Sequence, residues 1–517
     1  MSMRVRAGGP AIAAALLAAL VSGCDSGGTD AGGGTGGSPG GSSRSGAMAG
    51  LPAALTGQKP DWRACEAPKD GEKPGSQWRC ASVKVPLDYA RPGGETISVA
   101  LIRQEARDKD RRIGSLLFNF GGPGASGVTA MPRMAGEYHE LGARYDLVGF
   151  DPRGVARSSG VTCRDSKDQA ASLARVDLTP DTPAEEAAFM KDGADFGAGC
   201  AERSGKVIAH VTTSNTARDL DLVRHVLGDE KLHYMGFSYG TQLGGTYAHL
   251  FPRNVGRTVL DAVVDPTADS VGHARNQAIG FQRALNNYFA STGEGASAGN
   301  ARVTTLLKRL DREPLSTADG RTLTQSLALT GIAATLYSEE TWPYLTKSLE
   351  EAETGRGDAL LRLADIYNDR EADGTYGTQA HSQRAISCAD SSSRPTVAEA
   401  KALLPEFRRI SPVFAEFMAW DTAGWCADWP VKGEGVTPEA SAPGSAPILV
   451  VGTTGDSATP YEGAKKMADE LGAGVGVLLT YKGEGHGAYG SGNACVQDTV
   501  NAYLLDGKVP ASGTTCS

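Results

Sequence analysis

Apolar residues fall into two patterns along this chain. Short apolar runs rich in Val, Leu and Phe predict strands over 82–87, 96–103, 115–120, 146–150, 232–236, 258–264, 447–451 and 475–481. Between them the apolar positions recur at helical spacing. Leu220, Val223 and Leu227 predict a helix over 215–228, opened by an Asn/Thr cap and closed by Gly228, and a second helical run covers 239–250. Such alternation specifies an α/β architecture, a mostly parallel eight-stranded sheet covered by helices. The alternation stops between 266 and 440, where helical runs such as 344–352 and 358–367 dominate, and strands resume at Pro447. This stretch is predicted to be a helical cap laid over one end of the sheet, dividing the core into 57–265 and 441–517.

The first fifty residues have another pattern. Arg4 and Arg6 precede an apolar stretch from Ala11 to Val21, too short to cross a bilayer of about 30 Å at about 1.5 Å per residue. It predicts a signal peptide over 1–23. Val21-Ser22-Gly23-Cys24 looks like a bacterial lipobox, which would make Cys24 the lipidated first residue of the mature chain; ordinary secretory cleavage is the alternative. Of the 26 residues from Asp25 to Gly50, 16 are Gly or Ser. The segment 24–56 therefore reads as a flexible tether, holding the folded part just outside the cell membrane.

Composition narrows the partners. Lys and Arg total 51 against 60 Asp and Glu, a net charge of -9 with no basic run, which gives nucleic acid no electrostatic foothold. Of 9 cysteines, setting Cys24 aside leaves Cys65, Cys80, Cys163, Cys200, Cys388, Cys426, Cys495 and Cys516. An even number in an exported chain points to disulfides, and pairing neighbours in sequence is the simplest of the possible frameworks. None of the spacings is a CxxC metal pattern. There is no Walker loop and no HExxH, so neither a cofactor nor a catalytic metal is expected. Gly485 to Gly490 fits the dinucleotide fingerprint GxGxxG, but too little chain follows for the rest of a binding half.

The chemistry concentrates in Gly236-Phe237-Ser238-Tyr239-Gly240. A GxSxG pentapeptide between a predicted strand and a predicted helix is the context of a nucleophile elbow, with Ser238 raised above the sheet. In that arrangement the acid and the base follow in chain order. His486, in Gly485-His486-Gly487 after the last predicted strand, is the candidate base; His273 and His381 fall in the cap. Asp456, on the loop after strand 447–451, is the candidate acid, with Asp265 as competitor. The Gly121-Gly122-Pro123-Gly124 turn after strand 115–120 offers bare amides, and Gly121, Gly122 and Tyr239 are the candidate oxyanion hole.

Taken together, Cys80 with Val85-Pro86-Leu87-Asp88-Tyr89, the Gly121–Gly124 turn, Asp151-Pro152-Arg153-Gly154, the pentapeptide around Ser238, Asp456 with Thr459-Pro460, and Gly485-His486-Gly487 resemble the exported bacterial tripeptidyl aminopeptidases. These are α/β-hydrolases related to proline iminopeptidases. The resemblance implies the α/β-hydrolase fold, the Ser238, Asp456 and His486 triad, and peptide substrates with a free N-terminus. Proline iminopeptidases carry His just before the glycine turn, where this chain has Phe120. An exopeptidase must also hold the substrate's α-ammonium, for which Asp390 and Glu339 in the cap are candidates. A carboxylesterase or lipase, a proline iminopeptidase, and a tethered binding protein without chemistry are the alternatives.

Overall fold

The structure is a computed structural model that describes residue 48 and residues 50–67, 73–435 and 439–517; Cys24 and the signal sequence lie outside them. Its centre is a ten-stranded sheet of order β1-β2-β3-β5-β4-β6-β7-β10-β11-β12. The strands are β1 (Arg63–Ala64), β2 (Trp78–Pro86), β3 (Thr96–Gln104), β4 (Gly114–Asn119), β5 (Tyr145–Phe150), β6 (Leu232–Phe237), β7 (Val255–Asp261), β10 (Ile448–Gly455), β11 (Gly476–Glu484) and β12 (Thr514–Cys516). A separate hairpin in the cap pairs β8 (Leu315–Ser316) with β9 (Thr322–Leu323). From β5 across the sheet to β12 every neighbouring pair is parallel, whereas β1 to β3 run antiparallel at one edge. Every residue of β4 and β5 is buried, as strands covered by helices on both faces must be, and this is why their sequences are continuous apolar runs. The chain has the α/β-hydrolase fold.

All eight predicted strands are present, and the differences have local causes. The strand predicted over 258–264 runs instead from Val255 to Asp261, because Ala262 adopts φ 57°, which cannot continue a ladder. Beside the cap hairpin, the two strands of the main sheet not anticipated, β1 and β12, are only 2 and 3 residues long, too short to carry a pattern, and each is fastened by a disulfide next to it, Cys65–Cys80 and Cys495–Cys516. Cys163–Cys200 and Cys388–Cys426 complete the nearest-neighbour pairing. The predicted helix over 215–228 is Thr213–Val226, its first turn capped by the Thr212 side chain, which accepts from the amide of Asn215.

The tether ends earlier than the sequence suggests. Ala53–Thr56 forms a helical turn whose Leu55 is buried in the main core, so residues 51–56 belong to the folded part. The cap has its own apolar core, built on helices Ser270–Ser291, Ala296–Arg312, Gln325–Thr335, Trp342–Glu353, Asp358–Tyr367, Val397–Ile410 and Ala415–Gly424. It also draws on chain that the sequence assigned to the sheet domain. The helix Pro183–Ile208, between β5 and β6, packs Phe189 edge-on against Trp420, and Lys401 pairs with Glu186. The cap is thus assembled from two insertions, and amphipathic helices alone do not reveal which layer they join.

Candidate active site

Ser238 stands between β6 and helix Tyr239–Leu250 with φ 55° and ψ -124°, the strained backbone of a nucleophile elbow. Both glycines of the pentapeptide are sterically required. A Cβ at Gly236 would lie 2.4 Å from the carbonyl oxygen of Gly240, and one at Gly240 would lie 2.8 Å from that of Asn119. The serine is 3% exposed and heads a 12-residue helix whose N-terminal dipole favours negative charge beside it.

Asp456 follows directly on β10 and is fully buried. Its Oδ1 lies 2.8 Å from His486 Nδ1 and accepts from the amides of Ala458 and Thr459 at 3.0 and 2.8 Å. Oδ2 accepts from Thr459 Oγ1 at 3.1 Å. A carboxylate on Nδ1 assigns the ring proton to that nitrogen, leaving Nε2 as the basic one. Nε2 is buried and has no hydrogen-bond partner among the described residues. The imidazole is fixed from the cap as well: His486 N donates to Tyr337 O at 2.8 Å, and the Tyr337 ring meets the imidazole nearly perpendicularly with centroids 5.3 Å apart.

Asp261 couples the serine to the histidine loop, and sequence reasoning missed it. Its carbonyl accepts from Ser238 N at 3.0 Å, while its carboxylate accepts from Ala488 N at 3.0 Å and Tyr489 N at 2.8 Å. Burial pushes this carboxyl up to about 6, against the pull of those amides and with a further push from Asp456. The competitor acid, Asp265, is turned elsewhere: it pairs with Lys466 at 2.6 Å and accepts from Asn276 and Thr267.

The glycine turn abuts the serine, since a Cβ at Gly121 would lie 2.8 Å from Ser238 Cβ and 3.5 Å from its Oγ. The N–H of Gly121, however, donates to Asn119 Oδ1 at 3.0 Å. Gly121 therefore departs from its expected role as donor, and its part is to supply the φ of 87° and the close approach that a side chain would block. The amides of Gly122 and Tyr239, the other two candidates, donate to no acceptor among the described residues. Asp151 braces the neighbouring turn by accepting from Ser126 Oγ, Val128 N and Arg157 N.

Of the two cap carboxylates considered for amine binding, Asp390 is already engaged. It accepts from Thr213 N at 2.7 Å and Thr213 Oγ1 at 2.6 Å, and Thr213 Oγ1 in turn meets Tyr239 Oη at 2.7 Å. Glu339 is exposed on a single 3-10 turn.

A serine raised on an elbow, a buried imidazole with a free Nε2 and a pair of open amides can perform acyl transfer. Comparison with known proteins agrees. A family model described as TAP-like protein matches residues 411–516. Serine protease Hip1 of Mycobacterium tuberculosis is 37% identical over 489 residues, covering 89% of this chain and 91% of that protein. Tripeptidyl aminopeptidase of Streptomyces lividans is 32% identical over 477 residues, covering 88% and 86%. Carboxylesterase B of Mycobacterium tuberculosis is 34% identical over 459 residues, covering 85% and 86%. Likeness of this extent shows that the chain is a serine hydrolase and belongs to the tripeptidyl aminopeptidase family of α/β-hydrolases.

Proposed function

We propose that the chain is an exopeptidase that releases short peptides, tripeptides in the main, from the free N-terminus of peptides or proteins. The observation that carries this reading is the Asp456–His486 pair at 2.8 Å, with Nε2 left without a partner among the described residues, together with Ser238 on the strained backbone of an elbow. Ser238 Oγ attacks the scissile carbonyl as His486 Nε2 takes its proton. Asp456 stabilises the imidazolium, and the amides of Gly122 and Tyr239 receive the oxyanion. The imidazolium then protonates the leaving amine, and water, deprotonated by the same nitrogen, releases the acyl group. Tripeptide release is supported by the relatives named tripeptidyl aminopeptidase.

A tripeptidyl anilide, a proline anilide and a short acyl ester, turned over side by side, test this. The highest kcat/KM is expected on the tripeptide. Preference for the ester would favour the second reading, a carboxylesterase, which the relative named carboxylesterase B supports.

The enzyme works outside the cell, tethered through lipid on Cys24. The lipobox-like residues 21–24 support this, as do four disulfides, which persist in oxidising compartments. Inhibition of lipoprotein signal peptidase should accumulate a larger precursor, and unchanged mobility would refute the anchor.

A further inference from the structure

Helix Ser270–Ser291, the first of the cap, turns one face to the strand ends that carry the acid and the base. Gly280, Arg283 and Asn287 recur at i, i+3 and i+7 and so share that face. Gly280 is pressed against the carbonyl oxygen of Ser457, so closely that a Cβ could not be accommodated. Arg283 Nη2 donates to the carbonyl oxygen of Asp456 at 3.1 Å. One turn further along, Asn287 Nδ2 donates to Glu484 Oε1 at 2.8 Å.

Both partners lie next to the chemistry. Gly455 and Glu484 are the last register pair of β10 and β11, so Asp456 follows that pair by one residue on one strand and His486 by two on the other. The Glu484 carboxylate lies over Gly455 and leaves no room for a Cβ there. A single helical turn of the cap is thus hydrogen-bonded to the acid residue through Arg283 and to the end of the base strand through Asn287.

The hydrogen bonds of Asp456 show what Arg283 adds. Its amide donates to Thr453 O, and its carboxylate accepts from Ala458 N, Thr459 N and Thr459 Oγ1, all within its own loop. The carboxylate also meets His486 Nδ1 and Gly487 N, in the loop it orients. Among the described residues, the hydrogen bond from Arg283 is the one that ties Asp456 to anything outside these two loops. The local bonds set the shape of the acid loop, whereas Arg283 sets its place. The other acidic neighbour of Arg283, Glu462, stands 3.8 Å away with its side chain 62% exposed, a pair worth little beside a charged donor on a buried carbonyl.

We propose that Arg283 is a positioning residue for the triad and that, with Asn287 about 6 Å further along the helix, it brackets the acid loop and the base strand and so holds Asp456 against His486. This face of the helix belongs to the layer that carries the chemistry, while Phe281, Leu285 and Phe289 on the same helix build the core of the cap. The assignment rests on the Ser238, Asp456 and His486 triad proposed above and does not depend on whether the acyl group comes from a peptide or an ester.

Arg283→Met keeps an unbranched stem and removes the donor. On a short acyl ester and on the tripeptidyl anilide alike, kcat should fall about 10- to 100-fold, the cost of a displacement of about 1 Å, with KM within about twofold of wild type. Arg283→Lys, which restores a cationic donor, should recover most of that loss. In an Asp456→Asn background the Arg283→Met loss should vanish, because the carboxylate that Arg283 places is already gone. An unchanged kcat in Arg283→Met, or a loss of the same size in both backgrounds, would overturn the assignment, and a fall in unfolding free energy with kcat intact would mark the contact as structural only. Should Arg283→Met not fold, Asn287→Ala decides by the same cycle: a several-fold loss of kcat must appear in the wild-type background and disappear with Asp456→Asn, and any other result refutes the bracket. Ser238→Ala protein that hydrolyses both substrates at wild-type rates would instead overturn the triad reading itself.

Discussion

The ends of the strands and the cap treat buried polar atoms in opposite ways. Below, both carboxylate oxygens of Asp456 and both of Asp261 are taken by the imidazole, a hydroxyl or backbone amides, and Nε2 of His486 is left open. In the cap, Asp421 Oδ2, Gln383 Nε2 and Trp425 Nε1 are buried with no hydrogen-bond partner among the described residues. Each such group costs about 1–3 kcal/mol relative to a satisfied one. On the proposed reading, the groups that carry the chemistry are therefore oriented by the protein before substrate arrives. Substitutions among them should act chiefly on kcat.

The largest effects test the first half of that contrast. Ser238→Ala should lower kcat by roughly 10⁶ with KM nearly unchanged. Asp456→Asn, which lets the imidazole take the wrong tautomer, should cost about 10⁴. Steady-state kinetics on the tripeptidyl anilide measure both losses. An Asp456→Asn enzyme retaining a tenth of its kcat would show that this carboxylate does not hold the base.

A smaller loss is expected at Asp261, which touches no reacting atom. Asp261→Asn turns an amide N–H₂ toward the amides of Ala488 and Tyr489, and a displacement of about 1 Å in the histidine loop costs up to ~10²-fold in kcat. Stability carries a second signature. The folded carboxyl sits at about 6 against an ordinary value of 3.8, so the folded state holds its proton more tightly than the unfolded chain. The stabilisation from that proton is fully present below pH 3.8 and is lost as pH rises through 6, on the order of 3 kcal/mol in all. The difference in unfolding free energy between wild type and Asp261→Asn should therefore shrink over this interval in denaturant titrations; a constant difference would contradict a buried, proton-binding Asp261.

The same contrast explains what could be read from the chain. Ser238, Asp456 and His486 were legible because each sits at a strand end and strand ends announce themselves through apolar runs followed by glycine. Asp261 sits at a strand end too, but Val263 and Val264 extend the apolar run past it, and only the positive φ of Ala262 breaks the strand there. The occupied amide of Gly121 was hidden for another reason, since no pattern records that the Asn119 side chain reaches forward two residues to accept from it. Asp421 left no local signal at all. Its helix, like Gln379–Asp390, is predictable as a helix, yet the burial of one carboxylate between Arg384 and Tyr367 arises from the packing of three cap helices far apart in sequence. Asp390 and Glu339 were equally good candidates by composition, and only contacts distinguish them.

The smallest effect on the chemistry is expected where two helices of the cap are fastened together. Cys388 lies on the helix that carries Gln383 and Arg384, and Cys426 lies just beyond the helix that carries Asp421, so their disulfide ties together the two elements that frame the unpartnered carboxylate. The bond closes a loop of 38 residues, worth about 4 kcal/mol of stability on the chain-entropy model. Replacing both cysteines by serine should lower the unfolding free energy by up to that amount. Ester hydrolysis at 25 °C should stay within about twofold of wild type, because neither helix supplies a reacting atom. If instead kcat on the ester fell by an order of magnitude, the disulfide would be supporting the proposed reacting groups as well, and the division between a self-contained catalytic layer and the cap would be wrong.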